Sequence, residues 1–159
     1  MPKLKTKPRI DSTRSVRDVP GHALAMNLRC AYLAMHRVTN ACFAEMGLSA
    51  DSFTVLTALA ESGCITQKEL VQRIGSDANT VSAMCSRLER CGLLVRNRDD
   101  RDGRARLVEL THRGRRIQQQ LWDKSQYLRT EIANLFDEKE QVILVQLLKR
   151  IAEKLASNP

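Results

Sequence analysis

The fold is decided by residues 87–116, which read RLERCGLLVRNRDDRDGRARLVELTHRGRR. Ten of these positions are arginine. The hydrophobic period is helical up to Gly92, alternates as in a strand, pauses in a charged loop from Asp99 to Gly103, and alternates again to Leu110. This pattern predicts a short β-hairpin whose apolar positions are Leu93, Val95, Leu107 and Leu110. A rigid hairpin tipped with arginine beside a helix is suited to grip a nucleic-acid duplex at two grooves.

Composition narrows the classes of protein to consider. The chain has 159 residues, only seven glycines and four prolines, and 4% aromatic residues, which favours one mainly helical domain with an aliphatic core. The formal net charge of +8 suggests an anionic partner, namely nucleic acid, an acidic membrane surface or an acidic protein. No apolar run is long enough to span a membrane and no secretory signal is evident, so we expect a cytoplasmic protein.

The five cysteines are odd in number and lack CxxC spacing, which predicts free thiols and no zinc site. An enzyme acting on an acidic substrate would need a recognisable constellation, and the sequence contains no HExxH, Walker loop, GxGxxG or GxSxG motif. The chain is therefore predicted not to be an enzyme and to need no cofactor.

Two short helices upstream of the hairpin are predicted to form a helix-turn-helix. Thr66 and Glu69 have the spacing of a capping box, Gly75 ends that helix, and Ser76 or Asp77 caps the next, over about 78–91. This second helix buries one face and offers small polar side chains on the other, which lets base edges come close. The side chains so offered are Asn79, Thr80, Ser82, Ala83 and Ser86. The alternative is that these residues form only the solvent-exposed face of an amphipathic helix. The first two turns of this helix, however, lack the Lys and Glu typical of such faces.

Three further helices carry apolar residues at alternating steps of four and three. The first spans about 21–46, the second runs from Thr111 through Leu135, and the last contains Leu144, Leu148, Ile151 and Leu155. Residues 1–19 are polar and charged and are interpreted as a flexible basic tail. The apolar stripes exceed what one small helix-turn-helix needs to cover its core, which favours dimerisation through them.

Three consecutive blocks resemble the multiple-antibiotic-resistance regulator (MarR) family of winged-helix transcription factors. They are Leu88-Glu89-Arg90-Cys91-Gly92-Leu93-Leu94-Val95-Arg96, then Asp102-Gly103-Arg104, then Leu107-Val108-Glu109-Leu110-Thr111-His112-Arg113-Gly114. The resemblance covers about residues 21–156. It implies a mainly α fold of the α+β winged-helix type, in a homodimer that binds palindromic operators. The implied divisions are an N-terminal dimerisation helix at 20–47, a winged helix-turn-helix lobe at 48–114 and C-terminal dimerisation helices at 115–157, interwoven as one domain.

The resemblance also implies roles for individual residues on double-stranded DNA. Those expected to face the major groove are Asn79, Thr80, Ser82, Ala83, Ser86 and Arg87, with Arg90 further along the same helix. Arg104, supported by Asp102, is expected to enter the minor groove. The expected phosphate contacts are Gln67, Lys68, Arg98, Arg101 and Arg106.

Regulators of this kind usually release DNA when a small phenolic or aromatic effector binds, which predicts a ligand-responsive repressor. The expected pocket wall is Tyr32, His36, Phe53 and Trp122, although aromatic side chains at such positions more often belong to the core. A thiol-based redox sensor acting through Cys30 is one alternative, although its neighbouring residues do not reproduce the sequence pattern of such sensors. A winged-helix module for RNA or protein binding is another.

Overall fold

The computed structural model describes residues 20–98 and 106–156. Its helices and strands run in the order α1 (Pro20–Phe43), a 3₁₀ helix (Ala44–Met46), α2 (Ala50–Ser62), β1 (Ile65–Thr66), α3 (Gln67–Ile74), α4 (Ala78–Arg90), β2 (Leu94–Arg98), β3 (Arg106–Leu110), α5 (His112–Lys124), α6 (Gln126–Ala133) and α7 (Glu138–Ala156). The mainly helical winged-helix class predicted from the sequence is confirmed. The predicted basic tail, residues 1–19, lies outside the described residues.

Local sequence signals place the helix ends. The Ser49 hydroxyl accepts a hydrogen bond from the Ser52 amide at 3.1 Å and so caps α2. Gly47 and Gly75 follow the 3₁₀ helix and α3 with φ of 65° and 64°, a left-handed conformation that glycine adopts without strain. The helix boundaries predicted at these residues are confirmed.

The three strands form a small antiparallel sheet in the order β1-β3-β2. In the hairpin, Leu94 pairs with Leu110 and Arg96 with Val108. Side chains alternate across a sheet, so these four residues share the face that packs on the helices. Val95 pairs with Glu109 on the opposite face and is 38% exposed, so the prediction that Val95 is an inward apolar position is wrong, and Leu94 and Val108 fill the core instead.

The described chain divides into two compact units, with the boundary between Val38 and Thr39. The second unit holds the core, in which α2, α3, α4, the hairpin and α5 pack against one another. Its fully buried members include Leu56, Leu59, Leu70, Val81, Cys85, Leu88, Leu94, Val108 and Leu121. Burial of each leucine contributes about 1.5–3 kcal/mol, so this aliphatic cluster fixes the relative positions of the helix-turn-helix and the hairpin.

The predicted long fifth helix is interrupted at Ser125, which separates α5 from α6. The Ser125 hydroxyl donates hydrogen bonds to the carbonyl oxygens of Leu121 and Trp122, at 2.8 and 3.1 Å. Such back-bonding competes with the main-chain pattern and bends helices. The backbone at Ser125 accordingly leaves the helical region, with ψ of 2°.

No helix among the described residues is long and apolar enough to cross a bilayer.

Candidate nucleic-acid interface

A tight turn joins α3 to α4 in the second unit. The capping box at the start of α3 forms as predicted, since the Thr66 amide donates to Glu69 Oε2 at 2.8 Å and the Glu69 amide donates to the Thr66 hydroxyl at 3.2 Å. The hydrogen bond from the Thr66 amide is the main cause that lowers the pKa of the Glu69 carboxyl. Gln67, half-buried, and Lys68, exposed, lie in the first turn of this helix.

Asp77 caps α4 and orients its first turn. Asp77 Oδ1 accepts from the Thr80 amide at 2.9 Å, and Oδ2 accepts from the Thr80 hydroxyl at 2.6 Å. These bonds, that of the hydroxyl first, lower the pKa of the Asp77 carboxyl. Since the Thr80 hydroxyl uses its proton here, its oxygen presents lone pairs to any ligand.

The two faces of α4 differ as predicted. Val81, Cys85 and Leu88 are buried, and burial raises the pKa of the Cys85 thiol. The opposite side carries Asn79, Thr80, Ala83, Arg87 and Arg90, all exposed, and Ser82 and Ser86, both half-buried. The Ser86 hydroxyl donates to the Ser82 carbonyl at 2.9 Å. The geometry leaves a surface of short side chains on which base edges can approach the helix closely.

Arg87 also has a partner that sequence reasoning missed. Its Nη2 donates to the carbonyl oxygen of Gly47 at 3.1 Å, 40 residues away in the chain. This bond ties α4 to the segment that follows α1. Arginine has five N–H donors, so the guanidinium retains donors for an anion.

Arg98 and Arg106 form the last described pair of the hairpin, opposite each other and both exposed. Like charges directly opposite are unfavourable in a sheet, so an anion at this position would relieve the repulsion. The remaining predicted hairpin contacts, Arg101, Asp102 and Arg104, lie outside the described residues.

The middle of β2 is held to α4 by an ion pair that was not predicted. Arg96 donates to Glu89 Oε2 from Nε at 2.9 Å and from Nη2 at 2.5 Å. This hydrogen bonding is the main cause that lowers the pKa of Glu89 and raises that of Arg96. The predicted period-2 pattern, with Val95 inward, puts Arg96 on the outer face, so the sequence does not indicate that Arg96 would need Glu89 as a partner.

The predicted effector residues form two separate aromatic pairs. In the first unit, Tyr32 and His36 have ring centroids 5.5 Å apart. In the second unit, Phe53 and Trp122 are 6.3 Å apart, and the Arg129 guanidinium lies 3.8 Å above the Trp122 ring. Cation–π contact of this kind is attractive.

Cys30 lies exposed on α1, and its role as a redox sensor stays a prediction. Within residues 20–98 and 106–156, no cluster of three or more histidine, cysteine and acidic side chains is arranged to hold a metal ion.

Comparison with known proteins agrees with this geometry. The model of the MarR family matches residues 46–105. The HTH-type transcriptional regulator SarZ of Staphylococcus epidermidis is 31% identical over 103 residues, which are 65% of this chain and 69% of SarZ.

Two solved structures are also similar. One is a mutant MarR from E. coli complexed with operator DNA, with a TM-score of 0.77 and 25% identity over 87% of this chain and 99% of that one. The other is the structure of BpsR from Bordetella bronchiseptica, a protein whose DNA binding is regulated by 6-hydroxynicotinic acid. Its TM-score is 0.75, with 26% identity over 87% of this chain and 96% of that one. The helix-turn-helix, the basic hairpin and these likenesses together establish that the chain belongs to the MarR family of winged-helix, DNA-binding transcription regulators.

Proposed function

We propose that the protein is a homodimeric repressor that binds a palindromic operator and is released by a small aromatic effector. The observation that carries this proposal is the exposed surface of short side chains on α4, next to the arginine pair of the hairpin. In this arrangement α4 enters the major groove of each half-site, and the hairpin reaches the adjacent minor groove.

Base recognition falls to the first turns of α4. The Asn79 amide offers a donor and an acceptor, which suits the edge of adenine, and Ala83 suits the thymine methyl group. Ser82 adds a hydroxyl, and the hydroxyls of Thr80 and Ser86, whose protons are used within the helix, act as acceptors for the amino groups of bases. Arg87 and Arg90 lie further along the helix and can reach guanine or a phosphate.

Proposed contacts to the DNA phosphate backbone surround this surface. Gln67 and Lys68 at the start of α3, and Arg98 and Arg106 on the hairpin, bind phosphates, with Arg101 expected to join them. Arg104, supported by Asp102, is the residue proposed to enter the minor groove, whose negative potential attracts a guanidinium. These contacts account for affinity and its salt dependence rather than for sequence preference.

Dimerisation is supported by α7. This helix exposes Val142, Ile143, Val145, Leu147, Leu148 and Leu155, on more than one side. A helix that is apolar around much of its circumference is normally covered by protein, and exposed patches of this kind mark interfaces. A second copy of the chain supplies that cover, and the two-fold axis places two α4 helices on successive half-sites.

Release by an effector is supported by the aromatic side chains. In the second unit, Phe53 and Trp122 supply rings on which a phenolic or aromatic ligand can stack. In the first unit, Tyr32 and His36 form another aromatic pair. The guanidinium of Arg129 adds a positive charge beside Trp122 for an acidic substituent. Such a regulator acts in the cytoplasm by binding alone, so no enzymatic activity is proposed.

In vitro selection from a random duplex library, followed by fluorescence anisotropy and sedimentation, tests this function. We expect selected duplexes to share two inverted half-sites and the complex to contain two chains per duplex. Affinity should fall steeply with added salt. A monomer in solution at binding concentrations, or selected duplexes without any shared sequence, would overturn the proposal.

A further inference from the structure

We propose that Glu89, Arg96 and Thr111, here called the hairpin latch, are positioning residues that fix the hairpin at one angle to α4 so that both bind a single duplex. This inference rests on the proposed function, because it concerns how the same interface is held. None of the three is among the predicted DNA contacts. Glu89 and Thr111 lie at the base of the hairpin, at the end opposite the Arg98–Arg106 pair, and Arg96 lies in the middle of β2.

The first half of the latch joins α4 to β2. Arg96 shares the inner sheet face with Leu94 and Val108, and its side chain is only 15% exposed. A charge in such a place requires a partner, which Glu89 supplies from the last turn of α4 by accepting two N–H bonds. The Arg96 side chain, through these bonds, is the main cause that lowers the pKa of this carboxylate. Glu89 therefore ties the last turn of α4 to the middle of an edge strand.

The second half of the latch joins the end of β3 to the turn between α4 and β2. The Thr111 hydroxyl donates to the Gly92 carbonyl at 2.8 Å, and the Thr111 amide donates to the Leu93 carbonyl at 3.1 Å. The same hydroxyl accepts from the Gly114 amide at 2.9 Å and so caps α5. One residue thus links the end of α4, the start of β2 and the start of α5.

Without the latch, the outer part of the hairpin could bend relative to its buried base, near the turn between α4 and β2. This turn contains Gly92, whose φ of 68° places it in a region that other residues rarely adopt. Core packing of Leu94, Val108 and Leu110 already anchors the base of the hairpin. The latch adds the restraint on the part of β2 beyond Leu94, which is an edge strand of five residues. A hairpin free to bend would lose that freedom on binding, and the affinity of its phosphate contacts would fall accordingly.

The change in net charge and the loss of the latch have opposite expected effects on DNA affinity. Glu89→Gln removes a negative charge and raises the formal net charge from +8 to +9, which by itself strengthens binding to DNA. The latch predicts the opposite, because the neutral amide loses the charge-assisted bonds to Arg96. Glu61→Gln is the matched control, since Glu61 is an exposed residue near the end of α2 and its replacement changes the net charge equally.

The experiment measures Kd by anisotropy on the selected operator over a salt series, for full-length wild type, Glu89→Gln and Glu61→Gln. We expect binding by Glu89→Gln to be about tenfold weaker, with a smaller salt slope, because hairpin phosphate contacts are lost. Glu61→Gln should bind as tightly as wild type or slightly more tightly. Unchanged or tighter binding by Glu89→Gln would overturn the latch.

A second arm separates positioning from simple destabilisation. Arg98→Ala is measured in the wild-type and Glu89→Gln backgrounds, and a latch predicts that its cost shrinks in the second, since the hairpin is already misplaced. An equal cost in both backgrounds contradicts the proposal. Hydrogen exchange of the amides of residues 94–98 in the free protein gives a readout without DNA, in which Glu89→Gln should lose protection and Glu61→Gln should not.

If Glu89→Gln fails to fold, Arg96→Lys replaces it in both arms, because lysine keeps the charge but not the two-donor fork. Failure of the proposed function is distinguishable, since wild type would then select no operator. The latch alone fails if wild type binds its operator and the latch variants bind equally well.

Discussion

The carbonyl oxygen of Gly47 accepts a hydrogen bond from Nη2 of Arg87 at 3.1 Å, and so connects the segment after α1 to the exposed side of α4. Gly47 is held in turn, with a φ of 65° and its amide donating to the carbonyl of Ala44. The side chain expected to approach the major groove is therefore also a structural tie. Its two roles are separable by experiment.

Replacement of Arg87 by alanine should lower the free energy of unfolding by about 1 kcal/mol, because the bond to Gly47 is lost. It should also weaken operator binding. The measurement is urea denaturation followed by circular dichroism, together with anisotropy. Arg90→Ala is the control on the same helix, and we expect it to affect binding while leaving the unfolding midpoint in place. Equal unfolding midpoints for Arg87→Ala and wild type would show that the tie contributes nothing to stability.

Gly114 is the position at which a single added carbon should do most damage. A Cβ there would lie 1.8 Å from the carbonyl oxygen of Leu93, which is backbone and cannot turn aside. Gly114→Ala should therefore destabilise the fold by about 3 kcal/mol, as overpacking does. Gly21→Ala is the matched control, since a Cβ at that helical position meets nothing within 4 Å. Thermal unfolding should show a large drop in Tm for the first variant and little change for the second.

The carboxylate of Asp77 should make the helix-turn-helix sensitive to acid. Its pKa is lowered in the folded state by the bonds from Thr80, so its contribution to stability is complete above the ordinary pKa of about 3.9 and disappears as the pH falls below that value. Asp77→Asn keeps an oxygen for the cap but cannot titrate. We expect the unfolding midpoint of this variant to depend less on pH between about 5 and 3 than that of wild type. Identical pH profiles would contradict the assignment.

Local signals explain which features could be predicted from the sequence. The capping box of Thr66, the cap at Asp77 and the turns at Gly47 and Gly75 are short-range patterns, and each forms as expected. The fold class follows from the two changes of hydrophobic period around Gly92 and Leu110.

Contacts between distant segments were not predictable in this way. The Arg87–Gly47 and Glu89–Arg96 bonds depend on tertiary packing, which a single sequence read by itself does not reveal. The break at Ser125 was missed because a serine fits a helical period while its hydroxyl bonds back to the main chain. The inward position of Leu94 in place of Val95 shows how a shift of one residue reverses the faces of a strand.

Asn79 and Lys68 should differ in the kind of binding energy they contribute. Asn79→Ala should cost about 1–3 kcal/mol on the operator, and the loss should vanish when one particular base pair is changed. Lys68→Ala should weaken binding to every duplex alike and make the salt slope smaller by about one. Anisotropy on operators substituted one pair at a time, repeated at several salt concentrations, measures both effects. If Asn79→Ala lost affinity equally on all duplexes, the assignment of base recognition to that residue would be wrong.

Trp122 is the single tryptophan of the chain, so its fluorescence reports directly on the proposed effector site. The Arg129 guanidinium lies 3.8 Å above its ring and also donates from Nη1 to the Ser125 hydroxyl at 2.6 Å. A hydroxylated aromatic acid that binds here should change Trp122 emission. Arg129→Ala should weaken binding of the acid but not binding of a neutral phenol of the same shape, because only the acid needs the positive charge. Titration of wild type and Arg129→Ala with such matched pairs, with operator release followed in parallel, tests the assignment. Arg116→Ala, at an exposed position on α5, is the control for loss of one arginine. Equal weakening of acid and phenol would mean that Arg129 supports the shape of the site rather than the charge of its ligand.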